Sequence, residues 1–358
     1  MRIVVVGAGA IGGFMGGKLA SSGQDVILVG RPSLVEAVRA RGLRVIEPAG
    51  AATVHPMAVT DIAEAFAHST PADLALFCVK TYDTQAAIDG LRPFAPGFRF
   101  VLSFQNGISS EDSLAQAFGA SKVIAGTITH PVVVPEPGIV RSEKRTGGVG
   151  VASVAGQNAR PWAELVGKTG IVARAYADYR ALKWSKLLLN VIGNASSAIL
   201  NMNTVRVFAD QRLVWLEVQQ LREAIAVMDR LKIRPVPLPG YPVPLLVLAL
   251  RFLPVAFLGP VMRPLVVRGR AEKLPSLLLE LNRRSGKSEV DELNGAVAKI
   301  GQSVGVATPV NATLAATLNL LTQIPAQREA WNENVERLML VVRAARHELP
   351  ALPPGSPQ

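Results

Sequence analysis

The chain has few of the residues that build disulfide frameworks and metal sites. Its 358 residues include one cysteine, Cys78, and four histidines without metal-ligand spacing. A single cysteine excludes an internal disulfide and is typical of a reducing compartment. Because Cys78 lies in an apolar run, we interpret it as a small core residue. We therefore predict no metal site.

Acidic and aromatic residues are also scarce. There are 27 acidic against 38 basic residues, which gives a formal net charge of +11, and aromatics make up 5% of the chain. The positive charge suits polyanionic ligands. No motif interleaves basic and aromatic residues as RNA-binding modules do, so we expect no nucleic-acid partner. Because a strand begins at the second residue, we expect no cleavable signal and predict a cytoplasmic protein.

Glycine is concentrated where the chain begins. The β-branched run Ile3–Val6 leads into a G-x-G-x-x-G pattern, and small and apolar residues follow at helical spacing. A strand, a glycine turn and a helix in this order predict a dinucleotide-binding fingerprint. The three glycines would permit a tight turn, close approach of a pyrophosphate, and close helix–strand packing. The predicted cofactor-binding residues here are Gly7, Gly9, Ala10, Ile11 and Gly12.

The end of the second predicted strand indicates the type of cofactor. An NAD enzyme usually has Asp or Glu about 20 residues after the glycines, where it binds the ribose 2′-hydroxyl. This chain has Arg31 there, with Ser33 nearby. A guanidinium can bind a 2′-phosphate with two parallel hydrogen bonds, whereas a carboxylate would repel it. We therefore predict NADP(H); the alternative is that Arg31 is only a solvated loop charge.

Strand and helix patterns alternate over the first half of the chain. The predicted strands are 2–6, 25–29, 43–47, 74–79, 99–104, 122–128 and 148–153, and the predicted helices are 11–22, 33–41, 61–67, 84–90 and 109–118. This alternation is typical of a parallel sheet with right-handed crossovers. The sequence thus predicts an α/β fold with an N-terminal Rossmann-type parallel-sheet domain.

Helical patterns dominate from Tyr179 onward. The predicted helices are 180–200, 204–233, 271–283, 289–304, 308–323 and 326–347. We predict an NADP-binding domain at 1–175, an all-α domain for substrate binding and dimerisation at 176–348, and a disordered Pro-rich tail at 349–358. A catalytic cleft between the two domains is the expected arrangement.

One predicted helix carries polar residues in register. Lys186, Asn190 and Asn194 recur every four residues within an apolar run, so they would lie along one side of a helix. A lysine on an apolar face is costly without a partner or a task, and two asparagines suggest hydrogen-bonding duty. The alternative is that Lys186 extends to solvent and the asparagines satisfy core backbone groups.

Three further residues have equally simple structural explanations. Lys80 and Asn106 follow predicted strands, where open α/β sheets bind ligands, but Asn106-Gly107 is also a common turn. Glu289 lies after Ser288 at a helix start, where acidic residues are ordinary. Spacing alone leaves both interpretations open.

Taken together, the ordered motifs resemble the ketopantoate reductase (2-dehydropantoate 2-reductase) family over nearly the whole chain. The matching segments are GAGAIG at 7–12, Arg31, Val79-Lys80, Gln105-Asn106-Gly107, GTITH at 126–130, Lys183-Trp184-x-Lys186 with Asn190 and Asn194, Glu289-Val290-Asp291-x-Leu293-Asn294-Gly295, and ATPVN at 307–311.

The resemblance implies a role for each matching residue. Lys186 matches the general acid that protonates the oxygen formed when hydride reaches the keto carbon. Glu289 matches the acidic residue that orients this site. Asn190 and Asn194 match substrate-binding amides, and Asn106 matches a residue near the nicotinamide ribose and the substrate.

The other implied roles concern the cofactor and the substrate carboxylate. Lys80 matches a cofactor-contacting lysine, Arg31 the 2′-phosphate-binding residue, and Ser276 a serine that binds the substrate carboxylate. The stretch from Ser276 to Glu289 is one residue longer than the family pattern, and Glu280 stands where the pattern has Asp.

The segment 239–270 departs most from the resemblance, because it is long and apolar. Arg251 and several prolines interrupt it, so neither half approaches the ~20 apolar residues that a membrane span requires. Attachment to a membrane surface, helped by Arg263, Arg268 and Arg270, is an alternative. We favour a helical hairpin that covers the cleft or packs in a homodimer interface.

Three functions are consistent with these residues. The leading hypothesis is NADPH-dependent reduction of 2-dehydropantoate, a small 2-keto acid, to (R)-pantoate, a step toward pantothenate and coenzyme A. The second is a related reductase of another, bulkier 2-keto acid or ketone. The third, a non-catalytic NADPH-binding or membrane-surface protein, has no need of the Lys186, Asn190, Asn194 and Glu289 set.

Overall fold

A computed structural model describes residues 1–67, 71–143, 146–260, 262, 274–283 and 285–347. The chain divides into two compact units, one of Met1–Lys186 with Pro235–Pro244, and one of Leu187–Arg234 with Leu245–Gln358. The division falls inside a helix, eleven residues beyond the predicted boundary at 175. The short segment Pro235–Pro244 returns to the first unit, where the Thr129 hydroxyl donates to the Pro239 carbonyl at 2.9 Å.

The first unit contains most of the strands and alternating helices. Its strands are β1 (Arg2–Val6), β2 (Asp25–Val29), β3 (Leu43–Glu47), β4 (Gly50–Val54), β5 (Met57–Val59), β6 (Ala72–Phe77), β7 (Phe98–Ser103), β8 (Val123–Ile128), β9 (Val132–Glu136), β10 (Ile139–Ser142), β11 (Val149–Ser153) and β12 (Ala173–Tyr176). Its helices are α1 (Ala10–Ser21), α2 (Pro32–Arg41), α3 (Ile62–Phe66), α4 (Thr84–Leu91), α5 (Ser110–Phe118), α6 (Arg160–Gly167) and the first part of α7 (Tyr179–Val191), with 3-10 turns at Thr81–Asp83, Arg92–Gly97 and Ala120–Lys122.

The main sheet has eight strands in the described part of the chain, in the order β12-β11-β8-β7-β6-β1-β2-β5. Strands β8 to β5 in this order pair in parallel, and β11 pairs antiparallel with β8. The four residues Ile3–Val6 are all buried, as expected for a central strand covered on both faces. The order β5-β2-β1-β6-β7-β8 is that of a doubly wound α/β sheet. The predicted fold class is therefore confirmed.

A second, four-stranded sheet has the order β4-β3-β10-β9 in the described residues, and the sequence patterns did not predict it. The predicted strand 43–47 forms, but it is β3 of this sheet rather than part of the parallel one. It pairs antiparallel with β4 and in parallel with β10. Strand β4 is almost entirely exposed, so it lacks the apolar pattern that reveals a strand.

Helix α1 packs between the two sheets through its glycines. A Cβ atom at Gly16 would lie 2.8 Å from Leu28 of the main sheet, and one at Gly13 would lie 2.9 Å from Val140 of the second sheet. A Cβ at Gly17 would overlap Val45 of the second sheet. Small residues on both sides of the helix thus allow both sheets to approach its backbone.

The second unit is helical in its described residues. After the end of α7 come α8 (Ala195–Leu200), α9 (Thr204–Val207), α10 (Gln211–Arg230), α11 (Val243–Phe252, which begins in the first unit), α12 (Ser276–Asn282), α13 (Asn294–Ser303), α14 (Pro309–Gln323) and α15 (Val335–His347), with 3-10 turns at Val290–Glu292 and Pro325–Trp331.

Several predicted long helices are interrupted, and one of them, 326–347, divides into the 3-10 turn Pro325–Trp331 and α15. The predicted helix 180–200 breaks between α7 and α8, because Gly193 adopts a left-handed φ of +59°. The predicted helix 204–233 breaks before α10, where the Asp210 side chain accepts a hydrogen bond from the Arg212 amide at 2.8 Å and caps the new helix. The prediction that Asn194 continues the face of Lys186 and Asn190 on one helix is therefore wrong.

The segment predicted as an insert, 239–270, is described only in part. Helix α11 and residues 255–260 are helical, and they expose the apolar side chains of Leu245, Leu248, Phe252 and Phe257. Residues 261 and 263–270 and the predicted tail 349–358 lie outside the described residues. Among the described helices, none has the length and hydropathy needed to cross a membrane. That this apolar face covers the cleft or packs in a homodimer interface stays a prediction.

Candidate functional site

The predicted cofactor residues of the first unit lie at one edge of the main sheet. Strands β7, β6, β1 and β2 are neighbours in this order and run in parallel. Their carboxyl ends are followed by Asn106, Lys80, the glycine turn and Arg31, respectively. This is the edge at which open α/β sheets bind ligands.

The three glycines of the turn differ in what surrounds them. Gly7 has a φ of +94°, and a Cβ at Gly12 would overlap the Gly7 carbonyl oxygen. A Cβ at Gly9 would meet no described atom within 4 Å. Gly7 and Gly12 are therefore required by the fold, whereas Gly9 borders open space where α1 begins.

The start of α1 fits the phosphate groups of a dinucleotide. The first amides of the helix, at Ala10, Ile11 and Gly12, have no acceptor one turn earlier in the helix. Beside the open space at Gly9, they form the kind of helix N-terminus that binds anions. No side chain at Gly9 hinders close approach of a phosphate.

Arg31 lies beside this turn. The amides of Gly7 and Ala8 both donate to the Val29 carbonyl, at 3.2 and 2.9 Å, so the turn is bonded to the last residue of β2. Arg31 follows two residues later as the extended N-cap of α2, and its side chain is exposed. A guanidinium thus stands at the end of β2, where a carboxylate would select against a 2′-phosphate.

A buried network joins the loops that carry Lys80 and Asn106. The Gln105 side-chain amide donates to the Val79 carbonyl at 3.0 Å and to the Thr84 hydroxyl at 2.8 Å. The Lys183 ammonium donates to the Gln105 carbonyl at 2.7 Å and to the Glu111 carboxylate at 2.8 Å. These bonds fix the carbonyls of Val79 and Gln105, which directly precede Lys80 and Asn106.

Sequence reasoning named Lys183 only as part of a family motif and missed its ion pair with Glu111. Lys183 is 2% exposed and Glu111 is fully buried, so the pair is removed from solvent. The available signal was a second lysine three residues before Lys186 in the same apolar helix. The structure separates the two lysines, because Lys183 is held in the ion pair and Lys186 is only partly buried.

In the second unit, the structure brings Asn194 and Ser276 together. The Asn194 amide nitrogen donates to the Ser276 hydroxyl and to the Asn190 carbonyl, both at 3.1 Å. Its amide oxygen accepts from the Leu277 backbone amide at 3.1 Å. Asn194 thus holds the first turn of α12, and Ser276 itself is exposed. Two of the four residues predicted to bind substrate, Asn194 and Ser276, are therefore direct neighbours, although Asn194 lies off the α7 face.

Glu289 is buried rather than solvated, at 2% exposure. It precedes the 3-10 turn Val290–Glu292, and its backbone amide donates to the Glu280 carboxylate at 2.9 Å. Glu280 is itself buried. Glu280 therefore holds the backbone of Glu289. The roles of Lys186, Glu289 and the asparagines in a reaction stay predictions.

A chain of buried polar groups links three helices of the second unit. The Asn294 amide donates to the Gln220 side chain at 2.7 Å and to the Asn311 side chain at 2.9 Å. Asn311 in turn donates to Glu223, which also accepts the Val310 backbone amide at 2.8 Å. Burial raises the pKa of the Glu223 carboxyl to about 7, although these hydrogen bonds and the charge of Arg346 oppose the shift. Glu223 therefore caps α14 from a largely desolvated position.

Comparison with protein-family models gives two matches that cover most of the chain. Residues 3–155 match the model described as ketopantoate reductase PanE/ApbA, and residues 178–322 match the model of its C-terminal region. The chain belongs to the ketopantoate reductase family. This is a family of oxidoreductases, and the resemblance inferred from the ordered motifs is confirmed.

Several relatives of this ketopantoate reductase family member span nearly its full length. The 2-dehydropantoate 2-reductase of Pyrococcus horikoshii is 28% identical over 317 residues, which are 87% of this chain and 94% of that protein. The crystal structure of a ketopantoate reductase from Ralstonia eutropha JMP134 has a TM-score of 0.75 and 27% identity, and covers 92% of this chain and 100% of its own.

The solved structure of an enzyme with a different name has a similar fold. D-mandelate dehydrogenase with NADH and anilino(oxo)acetate has a TM-score of 0.74 and 20% identity, and covers 92% of this chain and 99% of its own. At this identity the likeness concerns the fold alone. Within the described residues of the family member, no cluster of three or more His, Cys, Asp or Glu side chains could hold a metal ion.

Proposed function

We propose that the protein reduces 2-dehydropantoate to (R)-pantoate with NADPH. The observation that carries the proposal is the gathering of the Gly9 turn, Arg31, Lys80 and Asn106 along one edge of the parallel sheet. The family match and the names of the full-length relatives support the reaction. The proposed location is the cytoplasm, where 2-keto acids and NADPH are both available.

The cofactor half of the proposed reaction follows from the edge of the main sheet. When bound, NADPH would supply the hydride that reduces the keto carbon. The open space at Gly9 and the first amides of α1 would bind the pyrophosphate. Arg31 would bind the 2′-phosphate, while Lys80 and Asn106 would contact the nicotinamide side.

The substrate half relies on charge and hydrogen bonding. The Lys186 ammonium would stabilise the negative oxygen that develops on the keto group and then give it a proton. Ser276, held by Asn194, would bind the substrate carboxylate together with the Asn190 amide. Glu289 would help to orient the substrate.

A second candidate is a reductase of a different 2-keto acid. Two features favour it. Glu280 replaces the Asp of the family pattern in a stretch that is one residue longer, and it supports the Glu289 backbone directly. The apolar segment 239–270 also exceeds the family pattern. Both features lie in the helical second half of the chain, which would contact the substrate and select it.

NADPH oxidation by the purified protein tests the two candidates together. We expect rapid loss of absorbance with 2-dehydropantoate, and much slower loss with bulkier 2-keto acids or with NADH. Turnover of a bulkier 2-keto acid alone would support the second candidate. Tight NADPH binding without turnover of any 2-keto acid would contradict both.

A further inference from the structure

The junction between α7 and α8 has a fixed shape. Helix α7 ends at Val191, Gly193 takes a left-handed φ of +59°, and Asn194 is the N-cap of α8. A Cβ at Gly193 would lie 2.5 Å from the Thr204 methyl group, so only glycine fits. This junction determines where the Asn194 side chain begins.

A single buried carboxylate lies beneath the junction. Glu217 of α10 is fully buried. It accepts hydrogen bonds from the Gly193 backbone amide at 2.6 Å, from the Ser196 hydroxyl, and from the Gln220 side-chain amide. The Gly193 and Ser196 groups lie on either side of Asn194 in the sequence. One carboxylate therefore ties down the backbone before and after this asparagine.

The restraint continues beyond Asn194 into the next helix. Both side-chain atoms of Asn194 are used, because its nitrogen donates to the Ser276 hydroxyl and its oxygen accepts the Leu277 amide. A displacement of the junction would therefore displace the start of α12. A path therefore runs from Glu217 by hydrogen bonds to Gly193 and Ser196, along the backbone to Asn194, and by a hydrogen bond to Ser276.

We propose that Glu217 is a positioning residue for substrate binding, acting through Asn194 on Ser276. This proposal rests on the proposed function, in which Ser276 binds the carboxylate of a 2-keto acid. Glu217 does not touch substrate. It supplies the acceptors that hold the junction in one geometry.

The isosteric variant Glu217→Gln tests this role. It keeps the volume but replaces one acceptor oxygen with a donor group, so the donors that face this oxygen lose their acceptor. Because misplaced binding groups weaken productive geometry, we expect KM for the 2-keto acid to rise about tenfold. The affinity for NADPH and the spectrum of bound NADPH should not change.

The matched control is Glu223→Gln on the same helix. Glu223 is also a largely buried carboxylate that accepts backbone amides, but it caps α14 rather than the α7–α8 junction. A merely structural role would make both variants alike, with lower stability and unchanged KM. Ser196→Ala removes one donor to Glu217 and serves if Glu217→Gln does not fold; its KM should rise by a smaller factor.

A double-mutant cycle with Asn194→Ala tests the path. If Glu217 acts through Asn194, then Glu217→Gln should have little further effect on KM in the Asn194→Ala background. Additive effects, or an unchanged KM in both Glu217→Gln and Ser196→Ala, would overturn the proposal.

Amide hydrogen exchange separates failure of this inference from failure of the proposed function. In Glu217→Gln, peptides covering 190–197 and 274–282 should exchange faster, while peptides of β1 and α1 should not change. Unchanged exchange at 274–282 would overturn the positioning path even if the wild-type enzyme reduces 2-keto acids. Faster exchange without any wild-type turnover would leave the path intact and refute the proposed reaction.

Discussion

Lys183 and Glu111 form an ion pair at 2.8 Å from which solvent is excluded on both sides. The Lys183 ammonium also holds the Gln105 carbonyl, next to the proposed cofactor contact Asn106. Removal of one partner would leave the other charge buried and alone. We expect Lys183→Met to lower the free energy of unfolding by about 3–5 kcal/mol, measured by urea denaturation.

The double variant Lys183→Met/Glu111→Leu should recover much of that loss, because no isolated charge remains. Glu333→Gln is the control, since it breaks the exposed ion pair of Arg206 and Glu333 and should hardly alter stability. Equal losses in the single and the double variant would show that packing, rather than the lone charge, accounts for the effect.

Gly9 and Gly12 should respond in opposite ways to the same added methyl group. Gly12→Ala would overlap the Gly7 carbonyl oxygen, so we expect a loss of stability of about 1–3 kcal/mol or more. Gly9→Ala points into open space and should fold normally, but it should weaken NADPH binding by about tenfold because the methyl group occupies the approach of the pyrophosphate. Thermal unfolding and fluorescence titration with NADPH measure the two effects. Normal NADPH affinity in Gly9→Ala would show that the pyrophosphate does not bind at Gly9.

Arg31→Ala should raise KM for NADPH and leave KM for NADH nearly unchanged, because only NADPH carries the 2′-phosphate. Arg31→Glu should go further and favour NADH, since a carboxylate repels that phosphate. Steady-state kinetics with both cofactors provide the measurement, and Arg44→Ala, an exposed arginine of β3, is the control. Equal changes for both cofactors would defeat the assignment of Arg31.

Lys186→Ala should lower kcat by about 10²-fold or more, the usual scale for loss of a general acid. The loss should appear in single-turnover hydride transfer as well as in the steady state. Lys168→Ala, an exposed lysine of the same unit, should behave like the wild type. A near-normal kcat in Lys186→Ala would remove this lysine from the mechanism.

Glu223 should make stability depend on pH. Burial raises the pKa of its carboxyl from 4.5 to about 7, so the folded protein holds this proton over a range in which the unfolded chain has lost it. The wild type should therefore lose stability relative to Glu223→Gln as pH rises from about 4.5 through 7. Urea denaturation at a series of pH values measures the difference. A wild type that instead gains on the variant with rising pH would mean that hydrogen bonds from α14 outweigh burial.

Most of the main sheet could be predicted from local patterns. The apolar runs at 2–6, 25–29, 74–79 and 99–104 are central strands covered on both faces, and such runs are recognisable without tertiary information. The second sheet could not be predicted, because β4 and β9 are short and largely exposed. Their pairing depends on partners that are distant in the sequence.

The candidate site divides in the same way. Gly9, Arg31, Lys80 and Asn106 follow strands, so topology alone predicts that they share an edge. The break at Gly193 was hidden within a continuous apolar pattern, since a glycine in a helical sequence does not reveal its φ. Glu217 and Glu111 gave no local signal either, because a buried carboxylate is recognised by its donors, and Gly193, Ser196 and Lys183 are distant from them in the sequence.

Helix α1 has sheets on both sides, and its glycines let side chains of both sheets contact its backbone. A helix confined in this way has little room to tilt or slide, so the amides at its start already point in their final directions before any ligand arrives. A dinucleotide that binds there loses its own freedom of motion but does not have to order the protein as well. We expect the association to be fast and to proceed without a slow isomerisation, because the binding site is preorganised.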